Sequence, residues 1–78
     1  MPLYFFDTRD GDTLIEDDVG FELPDLEAVK IVAATSLAEL ARDVIPESER
    51  RILIVEARDE QKPVLEARLT FEAAVLVG

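Results

Sequence analysis

The sequence predicts an α+β domain. Its expected form is ββαββ, a four-stranded antiparallel sheet in the order 2-1-3-4, with one helix packed on one face. Three observations predict it. Leu3–Thr8 and Arg51–Arg58 carry bulky side chains at both parities, as strands buried on two faces do. Apolar residues between Asp25 and Val44 recur at spacings of three and four, which gives a helix one apolar face. Turn residues then cut the remainder into two hairpins that flank this helix.

The first strand is expected at Leu3–Thr8, rich in aromatic and branched side chains. Arg9-Asp10-Gly11-Asp12 is a turn, with Asp-Gly as the hairpin dipeptide. Thr13–Asp17 is a short second strand. Its apolar residues are Leu14 and Ile15 and acids follow, so it suits an edge. Asp18-Val19-Gly20 bends the chain. Pro24-Asp25 opens the helix, because proline suits the first turn and Asp25 and Glu27 complement the positive end of the dipole. Leu26, Val29, Ala33, Leu37, Leu40 and Val44 form its apolar face, and Pro46 ends it. Arg51–Arg58 is the third strand and Asp59–Lys62 a turn. The fourth strand starts at Pro63 and alternates cleanly, with Leu65, Ala67, Leu69 and Phe71 on one face. The order 2-1-3-4 centres the two bulky strands. It also makes the helix a right-handed crossover above the first strand.

Seventy-eight residues are read as a single domain, 1–78. A chain this short has a small core, and without cysteine neither disulfide nor thiolate metal site can staple it. Apolar residues at 49% argue against intrinsic disorder. The charge of −10 is uneven: residues 1–39 hold ten acids and two bases, residues 40–78 eight acids and six bases. No basic patch can form on the first half, so direct nucleic-acid binding and anionic membranes are disfavoured. Charge interrupts every apolar stretch before a membrane span, and the N-terminus lacks a signal-peptide shape. The chain is read as cytoplasmic.

The absence of His and Cys removes serine–histidine and cysteine–histidine nucleophiles and zinc ligation by imidazole or thiolate. Three glycines build no phosphate cradle. Carboxylates remain, but one thin sheet offers little cleft, so no enzyme activity and no cofactor are expected. An EF-hand register fails: a loop starting at Asp7 puts Arg9 at the third position, and Gly11 at the sixth puts Phe6 at the first. A looser acid site from Asp10, Asp12, Asp17 and Asp18 stands against the plainer reading that these acids solvate a hairpin tip.

Two surfaces are candidates for function. With one helix for two bulky faces, Tyr4, Phe6, Ile52 and Ile54 are expected to leave an apolar protein-interaction patch on the uncovered face. The alternative is that the tail, residues 73–78, folds back to cover it. The second surface is acidic: Asp10, Asp12, Glu16, Asp17, Asp18 and Glu22. Arg42, Arg50 and Arg51 form the one basic concentration, and Arg42 also suits the helix C-terminus.

The stretch Tyr4–Val29, the alanine-rich Ser36–Pro46 and the strand pair around Val55–Leu65 resemble a family of short bacterial proteins carrying a domain of unknown function. The order Tyr-Phe, Asp-Gly, then Asp-x-x-Gly-x-Glu-Leu-Pro-Asp-Leu-Glu-Ala carries the resemblance. The chain departs from it at Asp59-Glu60-Gln61-Lys62, where family members carry Asp-Glu-x-Gly. The resemblance implies an intact single domain and supplies no activity, cofactor or catalytic residue.

The expected function is a small non-enzymatic interaction or regulatory protein, a homodimer formed through its sheet. The alternatives are an acidic nucleic-acid mimic that binds a basic protein partner, and a carboxylate metal binder or hydrolase. Salt separates the first two: it screens a charge mimic and leaves an apolar contact intact.

Overall fold

The computed structural model describes residues 1–77. Among them, β1 spans Leu3–Asp10, β2 Thr13–Ile15, β3 Phe21–Glu22, α1 Leu26–Val44, β4 Arg50–Arg58 and β5 Pro63–Glu72. The sheet runs β2-β1-β4-β5, with β3 also paired to β1, and every pairing is antiparallel. The two strands of two-sided bulk, β1 and β4, are therefore central neighbours.

Five strands stand where four were expected. The extra one, β3, sets Phe21 opposite Tyr4 and Glu22 opposite Leu3. The Leu23 N–H extends this ladder to the Pro2 carbonyl at 3.0 Å. Two residues are too few for alternation to reveal a strand. The first hairpin is also shifted by one residue. Asp10 pairs with Thr13, so Gly11-Asp12 forms its centre and not Asp10-Gly11. Gly11 has φ +60° and Asp12 a negative φ, the sign order of a type II′ turn with glycine first.

Asp25 caps α1: its carboxylate accepts the Ala28 N–H at 2.9 Å. Pro24 therefore lies before the cap, outside the helix. Val29, Ala33 and Leu37 are buried, and Leu40 and Val44 pack beside them. Leu26 is half-exposed, because it lies in the first turn before the helix meets the sheet. The helix lies over β4 and β5, not over β1 as the crossover was expected to. Ala33, Ala57 and Ala67 let helix and sheet approach there, while the taller Tyr4 and Phe6 rings fill the flank. Pro46 ends the helix within a 3-10 turn, Ile45–Glu47.

The second hairpin turns over four residues. The Asp59 carboxylate accepts the N–H groups of Gln61 and Lys62 at 2.7 and 2.8 Å, doing by side chain what glycine does by backbone freedom. The tail does not fold back over the sheet: Val75, Leu76 and Val77 are exposed. Gly78 lies outside the described residues. No helix among the described residues is long and apolar enough to cross a membrane.

Candidate functional site

The four apolar residues expected to share one patch are divided between the two faces. Tyr4 and Phe6 sit in the core, each 8% exposed, on the face that carries the helix. Register decides this, since Phe6 lies opposite Ala57 and Thr8 opposite Val55, both buried. The Phe21 ring packs edge-on against Phe6 at 6.0 Å. Ile52 and Ile54 point to the open face, and Ile52 is 45% exposed. That face is no apolar patch. Arg58 pairs with Asp7 at 2.8 Å and lies 4.6 Å above the Phe5 ring, and Arg68 pairs with Glu66 at 3.0 Å. Alternation was read correctly in β1, but its two parities were assigned to the wrong faces.

The acids separate into three kinds. The first completes the outer edge of β1. There β2 pairs with Thr8–Asp10 and β3 with Leu3 and Tyr4, which leaves a gap between them. Asp17 fills it. Its Oδ2 accepts the Phe6 N–H at 3.0 Å, in the place of a missing strand carbonyl. Its Oδ1 accepts the N–H groups of Val19 at 3.0 Å and Gly20 at 3.2 Å. The Asp17 N–H donates to Asp7 Oδ1 at 3.0 Å, and Arg58 donates to both Asp7 and the Asp17 carbonyl. Gly20 is required here. Its φ is +79°, and a Cβ would stand 2.8 Å from the Tyr4 carbonyl oxygen.

Partial burial raises the Asp7 pKa, but the Arg58 hydrogen bond, the Asp17 N–H and the Arg58 charge outweigh it and hold the carboxyl below the ordinary aspartate range. Burial likewise raises that of Asp17, and its three backbone donors and Arg58 bring it below the same range. Every carboxylate oxygen of this pair has a donor. The pair is built to hold a loop, and neither member is poised to move a proton.

Asp10 is the second kind. It takes a two-pronged contact from Arg51 at 2.9 and 3.0 Å, and Arg51 also donates to Ser48 Oγ. Arg50 pairs with Glu72, so two members of the basic concentration serve local ion pairs. The third kind, Asp12, Glu16, Asp18 and Glu22, is exposed. Among the described residues no three His, Cys, Asp or Glu side chains are placed to hold a metal ion. Sequence reasoning named Asp17 without its role. The available signal was Asp17-x-x-Gly20, a side-chain-closed turn beside a strand.

The opposite end of the sheet differs. β5 is an edge strand of ten residues, and among the described residues nothing pairs with its outer side. An open groove of about 380 Å³ runs beside it, between Ala34 and Ala38 of the helix and Leu65, Ala67 and Leu69 of the strand.

The sequence profile of a family described as a domain of unknown function, DUF6894, matches residues 3–70. The chain belongs to this family. No curated protein and no solved structure matches it. The DUF6894 segment runs from the first residue of β1 to Thr70 within β5, so it contains Asp7, Asp17, Gly20, Arg58 and the middle of the open edge. Residues 73–77 lie outside it.

Proposed function

We propose that this DUF6894 domain is a small non-enzymatic interaction or regulatory protein of the cytoplasm, acting as a homodimer formed through its sheet. One observation carries the reading: the long outer edge of β5, unpaired among the described residues, stands beside an apolar groove in a domain with little core of its own. Unpaired strand edges are templates for pairing, and the exposed apolar surface gains by leaving water. Charge supports the same edge. Of the first half's ten acids, eight lie in residues 1–25, which carry β1, β2 and β3 on the far side of the sheet from β5. Two such halves repel least when β5 lies between them. The acidic-mimic reading has less support, because Asp10 and Asp17 are engaged by internal partners. Sedimentation equilibrium across the micromolar range at moderate salt tests the proposal. A dimer strengthened by added salt is expected, since salt screens the repulsion between the acidic halves. A monomer throughout overturns the proposal.

A further inference from the structure

The middle of β5 reads Leu65-Glu66-Ala67-Arg68-Leu69. Around Ala67 this segment is symmetric in shape and opposite in charge. Glu66 and Arg68 point to the open face, while Leu65, Ala67 and Leu69 lie opposite Ala57, Val55 and Leu53 on the helix face. We infer that the partner of this edge is β5 of a second copy, paired antiparallel about a two-fold axis at Ala67. The inference rests on the self-association reading above and gives it a register.

In this register Glu66 of each chain faces Arg68 of the other, twice per dimer. Leu65 faces Leu69 of the second copy on the helix side, and the two Ala67 residues meet on the axis. Opposed side chains share a face in an antiparallel pair, so the apolar and charged rows both continue across the join. Axes at the two residues on either side do worse. One at Glu66 opposes two glutamates, and one at Arg68 opposes two arginines. One at Leu65 brings Arg68 against Lys62, and one at Leu69 brings Glu66 against Glu72. An axis between residues sets the helix-side row against the open-face row. Among axes at residues 65 to 69, Ala67 alone sets opposite charges face to face. The helix side agrees: Ala34 and Ala38 are small and exposed beside the edge, so a second helix can approach across the axis.

The test is a charge swap read by sedimentation equilibrium. Glu66→Arg and Arg68→Glu each turn two attractions into repulsions and should weaken dimerisation about tenfold. The Glu66→Arg/Arg68→Glu double variant restores opposite pairs and should recover the wild-type constant. Both side chains are about half exposed, so the variants are expected to fold, and circular dichroism verifies this. A second readout uses the absence of native cysteine. Opposed residues of an antiparallel pair lie about 4.5–5.5 Å apart at Cα, within disulfide reach. Ala67→Cys should therefore form a disulfide-linked dimer on mild oxidation. Thr70→Cys should not, since its two copies would stand roughly 20 Å apart along the strands. A monomeric wild type overturns both this inference and the proposed function. A dimeric wild type with unaffected charge variants overturns the edge pairing and leaves self-association standing, and cross-linking at residue 70 with none at 67 overturns the Ala67 register.

Discussion

The two edges of the sheet handle unpaired backbone in opposite ways. At the β1 edge the chain covers itself: β2 and β3 are three and two residues long, and the Asp17 carboxylate caps the gap between them. At the β5 edge ten residues lie open, with charges on one face and aliphatic side chains on the other. A short, broken, acid-covered edge resists pairing with another chain, and a long open one invites it. The difference shows that the acidic stretch does not act as one surface. Part of it closes an edge, part pairs with arginine, and the rest is solvated.

The largest expected effect comes from uncapping the closed edge. Asp17→Ala leaves the N–H groups of Phe6, Val19 and Gly20 without their acceptor, while the backbone carbonyl that Arg58 meets remains. It should cost about 3 kcal/mol, because charge-assisted hydrogen bonds to partly buried donors are lost. Asp18→Ala, its exposed neighbour with no such bonds, should change stability by less than about 0.5 kcal/mol. Urea unfolding midpoints measure both. Equal effects would remove the distinction between a capping and a solvated acid.

Next come the glycines. Gly20 and Gly11 both have positive φ, but a Cβ at Gly20 meets the Tyr4 carbonyl at 2.8 Å, and one at Gly11 meets nothing within 4 Å. Gly20→Ala should cost about 2 kcal/mol or more, strain plus displacement of β3 from β1. Gly11→Ala carries the backbone strain alone, about 1 kcal/mol. The reverse order in denaturant midpoints would show that the Gly20 turn yields easily.

A smaller, graded effect follows from pH. Asp7 and Asp17 have folded pKa values below their unfolded ones, so their contribution is complete above the unfolded value, about 3.9, and disappears as pH falls through the folded values. Stability should therefore decline below about pH 4. Asp17→Asn starts less stable at neutral pH and should show a shallower acid decline. Thermal melts between pH 2 and 7 distinguish a shallower slope from an unchanged one, and an unchanged slope would place the acid-sensitive groups elsewhere.

What the sequence revealed depended on the length of each signal. The helix was legible through many turns of spacing, and Asp25 as an acid at its start, though its carboxylate proved to cap the helix from outside and not to sit in its first turn. The long strands were legible through alternation, but Leu3 and Phe5 are as bulky as Tyr4 and Phe6. Pattern alone therefore could not say which pair faces the helix; register against Val55 and Ala57 did. β3 was too short to show a period. Asp17 was hidden among acids of identical composition, since its role arises from the gap between β2 and β3, a relation of tertiary structure. The edge position of β5 followed from strand order. The charge antisymmetry around Ala67 was present in the sequence and acquired meaning once that edge was seen to be open.

The smallest expected effect lies at the far end of the open edge. Val75, Leu76 and Val77 are 85%, 93% and 84% exposed. The chain there is held through Ala73, whose N–H donates to the Glu49 carbonyl at 2.8 Å. Side chains that leave little water behind contribute little to folding, whatever their hydropathy. Truncation after Ala73 should therefore alter the unfolding midpoint by less than about 0.5 kcal/mol, although it removes three of the most apolar exposed residues. It should also leave the β5 pairing constant unchanged, since the axis at Ala67 opposes residues within β5 and does not draw on residues 74–77. A truncated chain that folds normally and no longer self-associates would move the contact from the strand to the tail, and the open edge would then need a different occupant.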